Sequence, residues 1–317
     1  MNGIGLDCGT ATVKLVMLSQ KGELLWFKSS AHHGAAVQTV RLLLGELLQA
    51  DRNACGYPVM LTGSAGDRLS DACPGLSTLG DIPAIHRGIR LLAPEVKSAI
   101  EIGSQSARFL TDLDRGTPPR FAVNEHCAGG TGSFFEDQMS RLGLRIEDYS
   151  ELVAKARSIP RLSGRCAVFA KTDIIHRQQE GVPTPDILLG LCYAMVRNYK
   201  AVIVRGLPVE KPVALCGGVG CNAGVLRAIR DVFALTEEEL ILPKNFLYVG
   251  ATGAALAAQE AGTCSMGELL ASLCGQDPNM GDRLHRRQPL DPDPKVFVSD
   301  PPVSGHIPPQ GCALGID

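Results

Sequence analysis

Two stretches of this chain lie over one another without a gap: LDCGTATVKLV at 6–16 and IEIGSQSARFL at 100–110. In that register Asp7 falls on Glu101, Gly9 on Gly103, Thr10 on Ser104, Thr12 on Ser106 and Lys14 on Arg108. An acid, a glycine, two hydroxyls and a base in step point to an internal duplication rather than to two unrelated hairpins. Each copy reads as a strand, a tight turn of small residues and a return strand. In the first copy a further strand, LLWFKS, follows the Lys21-Gly22 turn. Such a duplication constrains the fold to two similar α/β lobes, and 317 residues suffice for each to bury a core.

The turns carry the chemistry. Backbone N–H groups approach phosphate oxygens closely only where side chains are small or absent. An acid ending the first strand is then placed to hold Mg²⁺ or to orient a water. Two facing copies would clamp a polyphosphate between the lobes. Asp7 and Glu101 are the candidates for metal and water positioning, with Gln105 beside them. Gly9, Thr10, Thr12, Lys14, Gly103 and Ser104 are the candidates for phosphate contact. A third element, KPVALCGGVGCNAGVLRAIRDVF at 211–233, reads as a buried strand, a glycine-pair turn and an amphipathic helix opening near Asn222. Glycines between strand and helix let a ligand rest on backbone at the positive helix end. Gly217, Gly218 and Asn222 are therefore the adenosine candidates. Further on, YVGATGAALAAQEAG at 248–262 runs from a glycine turn into an alanine-rich helix.

The eleven cysteines contain no C-x-x-C pair, which argues against a zinc ribbon or a thioredoxin-type motif. Cys192 and Cys216 have the apolar flanks of small core residues. Cys127 and Cys166 differ. The first opens AGGTG and then the helical stretch SFFEDQMSRL; the second precedes the helical stretch AVFAKTDIIHRQQ. A thiol at a helix N-terminus is favoured as thiolate by the dipole and the free N–H groups.

A net charge of −2 gives no electrostatic footprint for nucleic acid or an anionic membrane. No uninterrupted apolar run approaches the roughly 18 residues of a span, and Asp7 interrupts what an export signal would need as its core. The expectation is a cytoplasmic protein without nucleic-acid or membrane partners.

Duplicated acidic Gly-Thr/Ser hairpins plus a late strand–Gly-Gly–helix resemble the superfamily of sugar kinases, Hsp70 and actin. Within it, NEHCAGGTGSFFEDQMSRLG (124–143), SGRCAVFAKTDIIHRQQ (163–179) and CGGVGCN (216–222) resemble one family. These are the ATP-dependent activators of 2-hydroxyacyl-CoA dehydratases, related to the ATPase subunits of benzoyl-CoA reductase (the BadF/BadG/BcrA/BcrD type). The resemblance covers about residues 1–262.

It implies an α/β fold of two duplicated RNase H-like lobes, one over 1–95 completed by a helix at 251–262, the other over 96–250. It implies ATP/ADP and Mg²⁺ between the lobes, and a [4Fe–4S] cluster held by Cys127 and Cys166 of two chains in a homodimer. It also implies reduced ferredoxin or flavodoxin as electron donor, and a dehydratase or a related iron–sulfur reductase as acceptor. A small-molecule kinase on the same fold, or a nucleotide sensor without turnover, remain open alternatives.

The second hairpin departs from the family pattern Asp-Ile-Gly-Gly-Gln-Asp, reading Glu-Ile-Gly-Ser-Gln-Ser here. Slow hydrolysis or altered metal geometry is the expectation. From 263 to 317 the composition turns rich in Pro, Asp and Arg and reads as a linker or irregular tail. Its last residues, Leu314-Gly315-Ile316-Asp317, repeat the sense of Ile4-Gly5-Leu6-Asp7, as though a second ATPase module begins there.

Overall fold

The alternation of the first copy produces an antiparallel pair, β1 (Gly3–Cys8) and β2 (Thr12–Leu18), whose turn closes where Gly9 N–H donates to Thr12 O at 3.0 Å. β3 (Leu24–Ala31) continues the meander. α1 (Ala36–Ala50) then leads to β4 (Val59–Thr62), parallel to β1, followed by α2 (Asp67–Ala72), β5 (Ser77–Thr78) and α3 (Asp81–Leu92). The sheet order is β3-β2-β1-β4-β5. The computed structural model describes residues 1–124, 130–163 and 167–274.

The second copy repeats the plan with β6 (Ser98–Ile102), β7 (Ala107–Thr111) and β8 (Arg120–Val123). A helical insertion follows: α4 (Gly132–Arg141), α5 (Tyr149–Val153), α6 (Ala167–Gln179) and α7 (Thr184–Tyr199). After it come β9 (Val213–Cys216), α8 (Ala223–Phe233), β10 (Leu240–Ile241), α9 (Val249–Glu260) and α10 (Met266–Cys274). The order β10-β9-β6-β7-β8 matches the first sheet strand for strand, and the register matches too. Asp7 stands opposite Lys14 and beside Thr62, and Glu101 stands opposite Arg108 and beside Cys216. These are the two lobes of the actin, Hsp70 and sugar-kinase ATPase fold.

Each lobe lends the other a helix. α9 lays Ala251 and Ala255 on Val16 and Leu18 of the first sheet, while Ile85 and Ile89 of α3 pack on Ala99, Leu110 and Ala214 of the second. The two helices touch through glycines. A Cβ on Gly253 would lie 1.8 Å from Ala84 O, and one on Gly88 2.0 Å from Val249 O. Contact this close permits no larger residue without parting the helices.

α7 is buried on all sides in the second core, together with the fully buried Cys192. The stretch Thr184–Val204 is long and apolar enough to cross a membrane, but 72% of its apolar window lies inside the protein, as befits a core helix. Cys216 is likewise fully buried.

The linker expected from 263 onward is corrected over its first part. Val59 N–H donates to Cys264 O at 3.0 Å, and α10 inserts Met266, Leu269 and Leu273 among Leu43, Leu47 and Ala54 of the first core. The short helix was hidden from composition by the Pro-rich stretch after it; what decides is the apolar face it buries. Residues 275–317, with the tail resemblance to Ile4–Asp7, lie outside the described residues. Leu269→Ala is expected to destabilise the fold by about 2–5 kcal/mol, read from the urea midpoint, because Leu269 is fully buried. A true linker position would leave that midpoint in place.

Candidate functional site

The two hairpins face each other across the gap between the sheets and form the floor of a cleft. Asp7, Gly9, Thr10, Thr12 and Lys14 line it from one side, and Glu101, Gly103 and Ser104 from the other. Lys14 Nζ stands 3.2 Å from Asp7 Oδ2, and Arg108 Nη1 donates to Glu101 Oε2 at 2.7 Å. The duplication thus places two acid–base pairs face to face. Asp7 foremost holds the Lys14 ammonium above its ordinary pKa. Burial pushes the Glu101 carboxyl up, against the pull of Arg108. Cys8, next to Asp7, is pushed up to about 12 by burial and then by that carboxylate, so this thiol is inert packing.

The turns that follow β4 and β9 complete the floor. Gly63 (φ +97°) follows Thr62, and Gly217 (φ +88°) follows Cys216. A Cβ on Gly63 would meet Cys8 O at 2.5 Å and Asp7 Oδ1 at 2.7 Å. One on Gly217 would meet Ile102 O at 2.3 Å and Glu101 Oε1 at 3.2 Å. Both the positive φ and the close approach to an acidic strand end require glycine at each position.

From the floor a wing of about 380 Å³ opens between Thr12, Ser104, Phe135, Tyr149, Gly218 and Asn222. Gly217 lies on the floor, Gly218 and Asn222 in the wing. Asn222 also caps α8, its Oδ1 accepting from Gly224 N–H at 2.9 Å and from Val225 N–H at 3.3 Å. A contact from this side chain to a base or ribose therefore falls to its amide nitrogen.

Gln105 is not gathered into the floor. It is exposed and lines an adjoining groove of about 1160 Å³ between α3 and β8, which shares Thr10, Asp81, Ser106 and Arg108 with the floor. The structure adds residues that the sequence reading left out of the site: Thr62, Gly63, Ser64 and Asp81 from the first lobe, and Ser106 and Arg108 from the second. Asp81 Oδ1 accepts from Gly63 N–H at 3.0 Å, while Asp81 Oδ2 pairs with Arg108. For Gly63 a signal existed. VMLTGSAG (59–66) lies over VALCGGVG (213–220), the same strand–glycine turn in the other lobe.

Cys127 and Cys166 lie outside the described residues; the helices they precede do not. α4 and α6 pack against each other, and the start of α4 is tied to the second hairpin. Gly132 N–H donates to Gly103 O at 2.8 Å and Ser133 N–H to Ser104 O at 2.7 Å. These two first-turn donors of α4 are thereby taken by the turn of the second hairpin.

Residues 4–258 match the BadF/BadG/BcrA/BcrD ATPase family. The chain belongs to that family. An activator of lactoyl-CoA dehydratase from Anaerotignum propionicum is 30% identical over 264 residues, covering 82% of this chain and 98% of that protein. The crystal structure of component A of the Acidaminococcus fermentans (R)-2-hydroxyglutaryl-CoA dehydratase superposes with a TM-score of 0.74 at 24% identity, covering 82% of this chain and 98% of that one. The activator of 2-hydroxyisocaproyl-CoA dehydratase from Clostridium difficile, with bound ADPNP, gives 0.72 at 23% identity, covering 87% and 98%.

Proposed function

We propose that the chain is an ATP-dependent, low-potential electron donor that activates a 2-hydroxyacyl-CoA dehydratase or a related iron–sulfur reductase. ATP binds with its phosphates on the floor, among the two hairpins, and its adenosine in the wing by Gly218 and Asn222. Asp7 and Glu101 hold Mg²⁺. The donor set fits, since Mg²⁺ takes one or two carboxylates and completes its shell with phosphate oxygens and water. Residues 1–95 with the helix at 251–262 act as one lobe and 96–250 as the other.

Cys127 and Cys166 would hold a [4Fe–4S] cluster. Two thiols per chain are half of the four such a cluster takes, so a two-fold homodimer supplies the rest. When bound, that cluster supplies a one-electron carrier. Reduced ferredoxin or flavodoxin is the proposed donor, in the cytoplasm of an anaerobic cell.

The observation that carries this reading is the pair of hydrogen bonds from Gly132 and Ser133 to Gly103 and Ser104. The turn that would touch phosphate and the helix that follows Cys127 cannot move independently. A change at the nucleotide would thereby reach the helix that follows the cysteine segment.

The test is to purify the chain without oxygen, assay iron and sulfide, and measure electron transfer from a chemical reductant to a 2-hydroxyacyl-CoA dehydratase with and without ATP. The expected result is a brown dimer whose transfer requires ATP hydrolysis. A colourless chain that phosphorylates a sugar or a carboxylic acid would replace this reading with the kinase one. ATP binding without turnover would favour a sensor.

A further inference from the structure

The two acid–base pairs on the floor are not equivalent. Lys14 stays with Asp7 on its own hairpin, whereas Arg108 bonds Glu101 and Ser106 on its own hairpin and also Asp81 from the other lobe. Nothing in the duplication calls for this third bond. The offset that carries Ala84 to Val249 and Gly88 to Gly253 in the α3–α9 contact carries Asp81 to Phe246, an apolar residue.

Between the two pairs the floor leaves about 70 Å³. Little free space remains between the intact pairs themselves, while the wing and the α3–β8 groove open from the same residues. A phosphate seated between the pairs therefore competes with the charge network for its donors. The Arg108–Asp81 pair is the part suited to give way. Asp81 keeps hydrogen bonds from Gly63 N–H and Thr62 Oγ1 when the guanidinium leaves. Glu101, by contrast, is buried with Arg108 as its near cation and would be stranded. A guanidinium fork also matches two phosphate oxygens as well as it matches a carboxylate.

We propose that Arg108 is a ligand of the distal phosphates, for which Asp81 is the placeholder in the empty cleft. The nucleotide exchanges an interlobe ion pair for an Arg108–phosphate contact, which frees the start of α3 from the second sheet while Glu101 stays paired. This rests on the nucleotide reading of the cleft and adds to it a residue and a direction of motion. Arg108 lines the floor and the groove beside it but not the wing, so it should feel the β-phosphate and be indifferent to a nucleoside monophosphate.

The experiment is calorimetric titration of the full chain with ADP and with AMP, in Mg²⁺, for wild type, Arg108→Gln, Arg108→Lys and Asp81→Asn, with folding checked by circular dichroism. Arg108→Gln should weaken ADP about tenfold and leave AMP within about twofold, as loss of one charge-assisted contact implies. Arg108→Lys, which keeps the charge and loses the fork, should fall between. Asp81→Asn removes the competitor and should tighten ADP about threefold. Arg108→Gln binding ADP as wild type does, or Asp81→Asn weakening ADP, would overturn the proposal while leaving the nucleotide site in place. A wild-type chain that binds no ADP would overturn both.

Discussion

Serine at either Cys127 or Cys166 is expected to yield a chain purified without oxygen that carries no iron, yet binds ADP like the wild type. A serine hydroxyl is not ionised near neutrality and its oxygen is a hard donor, whereas iron in such clusters is held by thiolate. In a two-fold dimer each substitution removes two of four ligands at once, so partial occupancy is not the expected outcome. ADP binding should survive, because the floor and the wing are lined by the two hairpins, the turns after β4 and β9, and residues of α3, α4, α5 and α9, none of which contains either cysteine. Iron and sulfide assay beside calorimetry checks both halves. Iron retained in both variants would refute the ligand assignment; ADP binding lost with the iron would show that the cysteine segments belong to the nucleotide site itself.

The duplication was legible because each copy is a β-hairpin, and a period of two keeps the acid, the turn glycine and the base in fixed register whatever packs around them. That is why Asp7–Lys14 and Glu101–Arg108 were aligned correctly from the residues alone. Gly217 was visible as half of a glycine pair. Its counterpart Gly63 was passed over because Ser64 follows it, although the surrounding VMLTGSAG and VALCGGVG differ little in pattern. Asp81 was out of reach for a different reason. It looks like an ordinary first-turn acid of a helix, and only the fold brings it to Arg108 and to the Gly63 turn. Gln105 is the opposite case, since Ser104 and Ser106 on either side of it line the floor while it stands on the adjoining groove. The link from Gly132 and Ser133 to the second hairpin is backbone to backbone, so no side-chain pattern records it.

Asp7→Asn is expected to slow ATP turnover about a hundredfold or more while ADP binds at least as tightly as before. The amide keeps the size of the carboxylate, so the close approach of Gly63 and Gly250 is undisturbed. What it removes is the charge that would hold Mg²⁺ and orient the attacking water, and the partner of Lys14. Lys14, released at 3.2 Å from a neutral group, is then free to pair with phosphate, which favours the ground state and gives nothing back to the reaction. Glu101→Gln should be milder, about tenfold, because burial already disfavours its charge and Arg108 neutralises what remains. Steady-state turnover and ADP calorimetry on both variants separate the two acids. Turnover within twofold of wild type in Asp7→Asn would move the metal to Glu101 and make the first hairpin a phosphate clamp only; equal losses in both would mean that Glu101, despite its burial and its pairing with Arg108, carries as much of the ion's charge as Asp7 does.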